Sequence, residues 1–83
     1  MGKRIAWTDR AKTDIRAIEQ PIALGILRSV ARYADKGEGS VKRLQDVDPP
    51  ELRLRVGKYR VRFYDCGDSI LVLTVKHRRE AYR

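Results

Sequence analysis

Residues 51–65 alternate between apolar and basic side chains, and this alternation permits one kind of structure. The stretch reads ELRLRVGKYRVRFYD. A period of two places successive side chains on opposite faces of a β-strand, so the segment predicts two strands that each have one apolar face. Gly57 and Lys58 lie between them and suit a two-residue hairpin loop, with the glycine where a positive φ is needed. The sequence therefore predicts an antiparallel hairpin.

The outward face of this predicted hairpin is strongly basic. It carries Arg53, Arg55, Arg60 and Arg62. Pairing Val56 with Tyr59 across the loop sets each arginine of the first strand opposite an arginine of the second. Such like-charge pairs cost a few tenths to about 1 kcal/mol each. A phosphate backbone would offset that cost, because guanidinium groups bind phosphate oxygens. We expect this face to bind a polyanion, above all RNA; the simpler alternative is a solvated surface that is basic without a ligand.

The rest of the chain predicts two helices before the hairpin and one strand after it. Ala11, Ile15 and Ile18 recur at helical spacing behind a candidate N-cap at Thr8 or Asp9. A second helix follows, with Pro21 in its first turn, where a missing N–H is harmless. Residues 69–76, SILVLTVK, are apolar on both faces, as in a strand inside a sheet.

These elements together predict the fold class. We expect an α+β domain spanning residues 1–83, with an N-terminal helix hairpin packed on one face of a four-stranded, mainly antiparallel sheet. Residues 4–7 would form the fourth strand, beside the free side of residues 69–76. Residues 41–46 indicate no more than a short extended piece.

Composition narrows the partners and the compartment. The 83 residues carry a net charge of +8, and thirteen of the nineteen basic residues are arginine, which favours an acidic partner. Cys66 is the single cysteine, so an internal disulfide is excluded and a metal site has no second ligand nearby. The longest apolar run, ILVL, is far too short to cross a membrane, and MGKRIAW lacks the apolar core of a signal peptide. We expect a cytoplasmic protein without a cofactor.

The order of several motifs resembles the RelE-type toxins of bacterial and archaeal toxin–antitoxin pairs, in the RelE/ParE superfamily. The matching pieces are a basic LRLR strand, a GKYR turn, an apolar strand and a terminal HRREAYR, preceded by the N-terminal pattern W-T-x-x-A-x-x-D-I. The resemblance covers nearly the whole chain. It implies a RelE-like, microbial ribonuclease-type fold.

The resemblance also implies a function. Relatives of this type would enter the ribosomal A site, cut mRNA without a metal and so inhibit translation and arrest growth. A cognate acidic antitoxin would wrap the basic face in a hetero-oligomer. By motif position, Arg60 matches the phosphate-contacting arginine of the family, Arg78 its terminal HR and Tyr82 its terminal tyrosine. If the terminal alignment slips by two residues, Lys76 takes the place of Arg78.

RNA cleavage sets a short chemical requirement, because the 2′-OH of RNA is itself the nucleophile. The enzyme must align that hydroxyl, stabilise the phosphorane and supply a base and an acid. We expect Arg60 and Arg78 to stabilise the phosphorane, since arginine stays charged at any working pH. For the same reason Arg53 and Arg55 do not supply the base that lysines on this strand offer in other family members.

The remaining proton-transfer candidates are His77 and Tyr82. His77 has a suitable unperturbed pKa but is as readily a structural residue. Tyr82 would stack on a base or donate a proton, or else pack against the sheet. The predicted RNA-binding residues are Arg53, Arg55, Lys58, Arg62 and Lys76.

Two other functions fit the same fold. One is a ParE-like toxin that inhibits gyrase and cuts nothing, and the other is a non-catalytic RNA-binding module.

Overall fold

The computed structural model of the chain describes residues 2–45 and 48–81. Its elements are β1 (Arg4–Trp7), α1 (Asp9–Arg16), α2 (Gln20–Lys36), β2 (Ser40–Gln45), β3 (Glu51–Val56), β4 (Tyr59–Asp65), β5 (Ser69–His77) and α3 (Arg78–Ala81). The strands form one sheet in the order β1-β5-β4-β3-β2. The α+β class is as predicted. Among the described residues, no helix is long and apolar enough to cross a bilayer.

The sheet has five strands, so the prediction of four is wrong. The additional strand is β2, which pairs antiparallel with β3 and sets Val41 opposite Leu54. Its two apolar residues, Val41 and Leu44, are three positions apart in the sequence, and the register shifts between Arg43 and Gln45. A bulge of this kind breaks the period of two, and with it the signal by which a strand is recognised in sequence.

The predicted β3–β4 hairpin is confirmed. Val56 pairs with Tyr59, and Gly57 has a φ of 57° in the two-residue turn. The edge strand β1 lies beside β5, as expected, and the two run parallel, with Arg4 opposite Ser69. The sheet is therefore antiparallel except at this edge.

The helices begin and end where local chemistry favours it. The Thr8 hydroxyl accepts a hydrogen bond from the Ala11 N–H at 3.1 Å and so caps α1. Gly37 ends α2 in the left-handed region, with a φ of 70°. Both helices contribute to a core against the inward face of the sheet. The fully buried large side chains are Ile26, Val30, Leu54, Val61, Phe63, Ile70 and Val72.

Helix placement differs from a simple hairpin on one face. β1 spans four residues and β5 nine, so the far half of β5 has no strand beside it on the side of β1. α1 follows that edge: the Val75 N–H donates to the Asp14 carboxylate at 3.0 Å, and the Lys76 ammonium lies 3.2 Å from the same group. A helical side chain thus satisfies a backbone donor that a strand would otherwise pair. A third helix, α3, which the sequence did not indicate, follows β5 directly.

Candidate nucleic-acid interface

The face of the sheet turned away from α2 carries a ladder of basic side chains. Directly opposite residues in a sheet share a face, and the pairing gives two rows across the strands. One runs Lys42, Arg53, Arg62 and Thr74, and the other Ser40, Arg55, Arg60 and Lys76. We call this surface the basic face, defined by Lys42, Arg53, Arg55, Arg60, Arg62 and Lys76.

Lys42 was missed in the sequence analysis, because β2 was not recognised as a strand. Once β2 is paired with β3, Lys42 lies directly opposite Arg53 and is exposed. The signal in the sequence was its position next to the apolar Val41, which becomes informative only with the register known.

A bulge in β5 brings Lys76 onto the basic face. Phe63 pairs with Val72, but Arg62 pairs with Thr74, so one residue of β5 is unpaired between them. The buried positions of β5 therefore change from even numbers, such as Val72, to the odd-numbered Val75. Lys76, next to Val75, then faces the arginines.

Arg60 is the least accessible arginine of the basic face. The residue is 7% exposed, and its Nη1 donates to the carbonyl oxygens of Gly57 at 3.1 Å and Tyr59 at 3.0 Å. The guanidinium thus folds back on the turn of its own hairpin. It provides a fixed positive charge beneath the surface rather than an open phosphate contact.

Arg62 is held by a carboxylate that the sequence analysis did not assign. Its Nε and Nη2 both donate to Oε2 of Glu51, at 2.9 and 2.5 Å. The Glu51 side chain is 7% exposed and that of Arg62 46%. Glu51 has the same strand parity as Arg53 and Arg55, which was the sequence signal for its place on this face.

Arg55 presents its charge openly to solvent. It is exposed and has no hydrogen bond or ion pair with any residue in 2–45 or 48–81. Lys58 is also exposed, in the turn at the end of the hairpin. The Lys76 ammonium instead turns toward the sheet edge, where it contacts Asp14.

His77 lies on the opposite face from the arginines. It pairs with Tyr59, a residue packed against the core, and the two rings meet edge to face with centroids 5.3 Å apart. Its Nδ1 accepts a hydrogen bond from the Arg79 N–H at 3.2 Å, at the start of α3. The structure therefore does not bring His77 to the basic face. Counting by two from Ile70 and Val72 would place it among the arginines, and the bulge in β5 reverses this.

The other predicted C-terminal residues are only partly placed. Arg78 is exposed at the beginning of α3, and its N–H donates to the Lys58 carbonyl at 2.7 Å, which joins α3 to the hairpin turn. Tyr82 lies outside the described residues.

The perturbed pKa values belong to a different part of the molecule. Burial raises the pKa of the Tyr33 phenol, and the nearby charge of Asp65 adds to the effect. Burial would also raise the pKa of Asp65, but hydrogen bonds from Lys3 and the Gly67 N–H, with the charge of Lys3, outweigh it and leave that pKa below its ordinary value. Asp65 lies opposite the buried Ile70, on the helix side.

No group of three or more histidine, cysteine or acidic residues within the described ranges could hold a metal ion. Cys66 is exposed and free. The basic face offers positive charge and hydrogen-bond donors from four adjacent strands.

Comparison with protein families gives one match that covers almost the entire chain. The family described as "ParE toxin of type II toxin-antitoxin system, parDE" matches residues 5–82. A comparison with curated proteins gives no match.

Solved structures of low sequence identity share the fold. A RelE–RelB complex from Pyrococcus horikoshii OT3 has a TM-score of 0.78 at 18% identity and covers 94% of this chain and 97% of its counterpart. The toxin–antitoxin complex RelBE2 from Mycobacterium tuberculosis has a TM-score of 0.75 at 18% identity, with 93% and 99% covered. The ParDE system of P. aeruginosa has a TM-score of 0.64 at 19% identity, with 90% and 95% covered.

Proposed function

This chain belongs to the ParE toxin family of type II toxin–antitoxin systems, within the RelE/ParE superfamily, and we propose that it is a cytoplasmic toxin that cuts mRNA in the ribosomal A site. The observation that carries the proposal is the basic face, on which cationic side chains from four adjacent strands share one surface. Such an array suits a phosphate backbone, because guanidinium groups bind phosphate oxygens.

The first step is phosphate binding by the basic side chains of the hairpin. Arg55 and Arg62 lie in adjacent rows of the basic face, and Lys58 lies at its end in the turn. Together with Arg53 they would hold successive phosphates of single-stranded mRNA and set its register. Such contacts depend strongly on salt, because each neutralised phosphate releases counterions.

The second step is stabilisation of the phosphorane. We propose that Arg60 contributes through its buried charge. Its guanidinium is removed from water, where the lower dielectric strengthens the attraction to the phosphorane. The two turn carbonyls hold it in place, so it need not reorient during the reaction. Arg78 would approach the same phosphate from the start of α3, which is joined by its N–H to the hairpin turn.

The described part of the site has few groups that could transfer a proton. His77 faces the helix side, so its proposed part is to hold the start of α3 and thereby Arg78. Tyr82 stays our candidate for base stacking or proton donation. With so few groups, catalysis would rest on alignment of the 2′-OH by the ribosome-bound mRNA and on charge.

An antitoxin is the natural partner. The structural relatives are complexes of a toxin with its antitoxin. We propose that an acidic segment of the cognate antitoxin covers the basic face in a hetero-oligomer and competes there with mRNA. The antitoxin and mRNA would compete because carboxylates and phosphates bind the same guanidinium edges.

Gyrase inhibition is the second candidate, favoured by the description of the matching family and by the structural likeness to a ParDE system. Under this function the basic face would bind an acidic protein surface. Supercoiling of plasmid DNA by purified gyrase, with and without the chain, tests it directly.

Primer extension on mRNA in a purified translation system tests the main proposal. We expect cuts in phase with the codons that require ribosomes. Replacing Arg55 by alanine should weaken cleavage strongly, whereas the same change at Arg32, exposed on α2 on the other side of the molecule, should not. Intact mRNA together with inhibited supercoiling would overturn the proposal in favour of gyrase.

A further inference from the structure

Glu51 is an anomaly on a surface built to attract anions. It is a carboxylate on the same side of β3 as the arginines, it is 5% exposed, and its Oε2 accepts two hydrogen bonds from Arg62. A carboxylate there lowers the positive charge available to RNA. A chain that needed only charge on this face would do better with a neutral residue.

The geometry of the pair shows what the carboxylate does to its partner. The Nε and Nη2 donors form one edge of the guanidinium, and Oε2 of Glu51 accepts from both. The neighbouring edge, formed by N–H groups of Nη1 and Nη2, is left for a ligand, and this is an edge that can bind a phosphate with two parallel hydrogen bonds. With 46% of its side chain exposed, Arg62 is accessible from solvent.

The pairing in the sheet explains why Arg62 needs such support. Arg53 lies directly opposite Arg62, and Lys42 lies beyond Arg53 in the same row. Without a counter-charge, repulsion would drive the flexible Arg62 side chain outward into water, where its guanidinium would sample many orientations. Glu51 lies two residues before Arg53 and draws Arg62 diagonally away from it.

We infer that Glu51 is a positioning residue for RNA cleavage, which orients Arg62 so that one guanidinium edge faces the scissile phosphate. The inference rests on the proposed endonuclease function and deepens it. Glu51 acts through Arg62 and does not touch the substrate. Removal of Glu51 should therefore slow cleavage without weakening binding.

A double-mutant cycle of Glu51→Ala and Arg62→Ala tests the inference. Each purified chain is assayed for single-turnover cleavage of ribosome-bound mRNA and for the salt dependence of its affinity for single-stranded RNA. We expect Glu51→Ala to slow cleavage roughly 10- to 100-fold, because a misplaced group costs about that much. Its RNA affinity at low salt should be equal to or above that of the wild type, because a negative charge has been removed.

The coupling decides between positioning and a merely structural role. We expect Glu51→Ala to have almost no further effect on the cleavage rate once Arg62 is alanine, since contacting residues of one unit are not additive. If the two changes multiply, or if Glu51→Ala weakens RNA binding, the inference is overturned. Glu38→Ala, which removes an exposed carboxylate from the loop after α2, is the matched control and should change neither readout.

A second variant guards against loss of folding. Glu51→Gln keeps an oxygen that accepts from Arg62 but removes the charge, so its cleavage rate should fall between those of the wild type and Glu51→Ala. A Glu51→Gln chain that folds and cuts more slowly than Glu51→Ala would contradict the inference. A wild-type chain that does not cut mRNA at all overturns the proposed function before any variants are compared, so the two failures are distinguishable.

Discussion

Replacing Arg60 or Arg55 by methionine removes one charge from directly paired positions of the basic face, and the structure predicts opposite effects on stability. Arg60 is buried and donates to two turn carbonyls, whereas Arg55 is exposed and without such contacts among the described residues. Methionine has a comparable length in both cases. The comparison therefore measures the hydrogen bonds made by Arg60 together with the difference in burial between the two sites.

The magnitudes follow from these contacts. Each hydrogen bond from the charged guanidinium contributes about 1.5–3 kcal/mol if its carbonyl acceptor is left without a partner after the substitution. At an open turn water replaces the donor, and the cost is about half of that. Relief of repulsion returns about 0.2–1 kcal/mol for each variant. We expect Arg60→Met to unfold about 2 kcal/mol more easily than Arg55→Met, a difference in Tm of roughly 8–16 °C.

Thermal and urea unfolding of both purified variants, followed by circular dichroism, measures this difference. Arg55→Met should match the wild type or slightly exceed it in stability and should lose more of the salt dependence of RNA binding. Equal stabilities of the two variants, or a more stable Arg60→Met, would refute the assignment of Arg60 to the hairpin turn. Arg60 would then be an open ligand contact, as Arg55 is.

Three further changes test the framework that holds the basic face. Asp65→Asn should make the free energy of unfolding fall less steeply in acid, as urea unfolding between roughly pH 5 and 2 would show. Lys3 lowers the pKa of Asp65 in the folded state. The carboxylate therefore stabilises the fold above the unfolded pKa of about 3.9, and this stabilisation is lost as the pH falls through the lower folded pKa. Asp14→Ala should destabilise the chain by about 1–3 kcal/mol, because the Val75 N–H loses its acceptor, and hydrogen exchange at that amide should accelerate; unchanged exchange would contradict the capping of β5 by α1. Gly39→Ala should lower the free energy of unfolding by more than about 1 kcal/mol, measured by chemical unfolding, because φ is 141° and a Cβ would lie 2.8 Å from the Leu54 Cδ1. An unchanged free energy of unfolding would refute this close approach.

The hairpin and its arginines were predictable because strand parity is a local property. Once Val56 pairs with Tyr59, every side chain of residues 51–65 is assigned to a face by a period of two, and the structure has that register. The rule does not extend along β5, where the bulge reverses the parity and places His77 on the helix side. The strand β2 was not predictable in this way, because its bulge interrupts the period.

The sequence by itself determined the fold class, the hairpin register and the concentration of guanidinium groups on one face of the sheet. Only the tertiary structure decided which partners the side chains bind: Arg60 donates to the carbonyls of its own turn, Arg62 to Glu51 and Lys76 to Asp14. The physical reason is the length of these side chains. The backbone period fixes the direction in which a side chain leaves its strand, but a flexible arginine or lysine ends at whichever carboxylate or carbonyl the packed neighbours bring within reach.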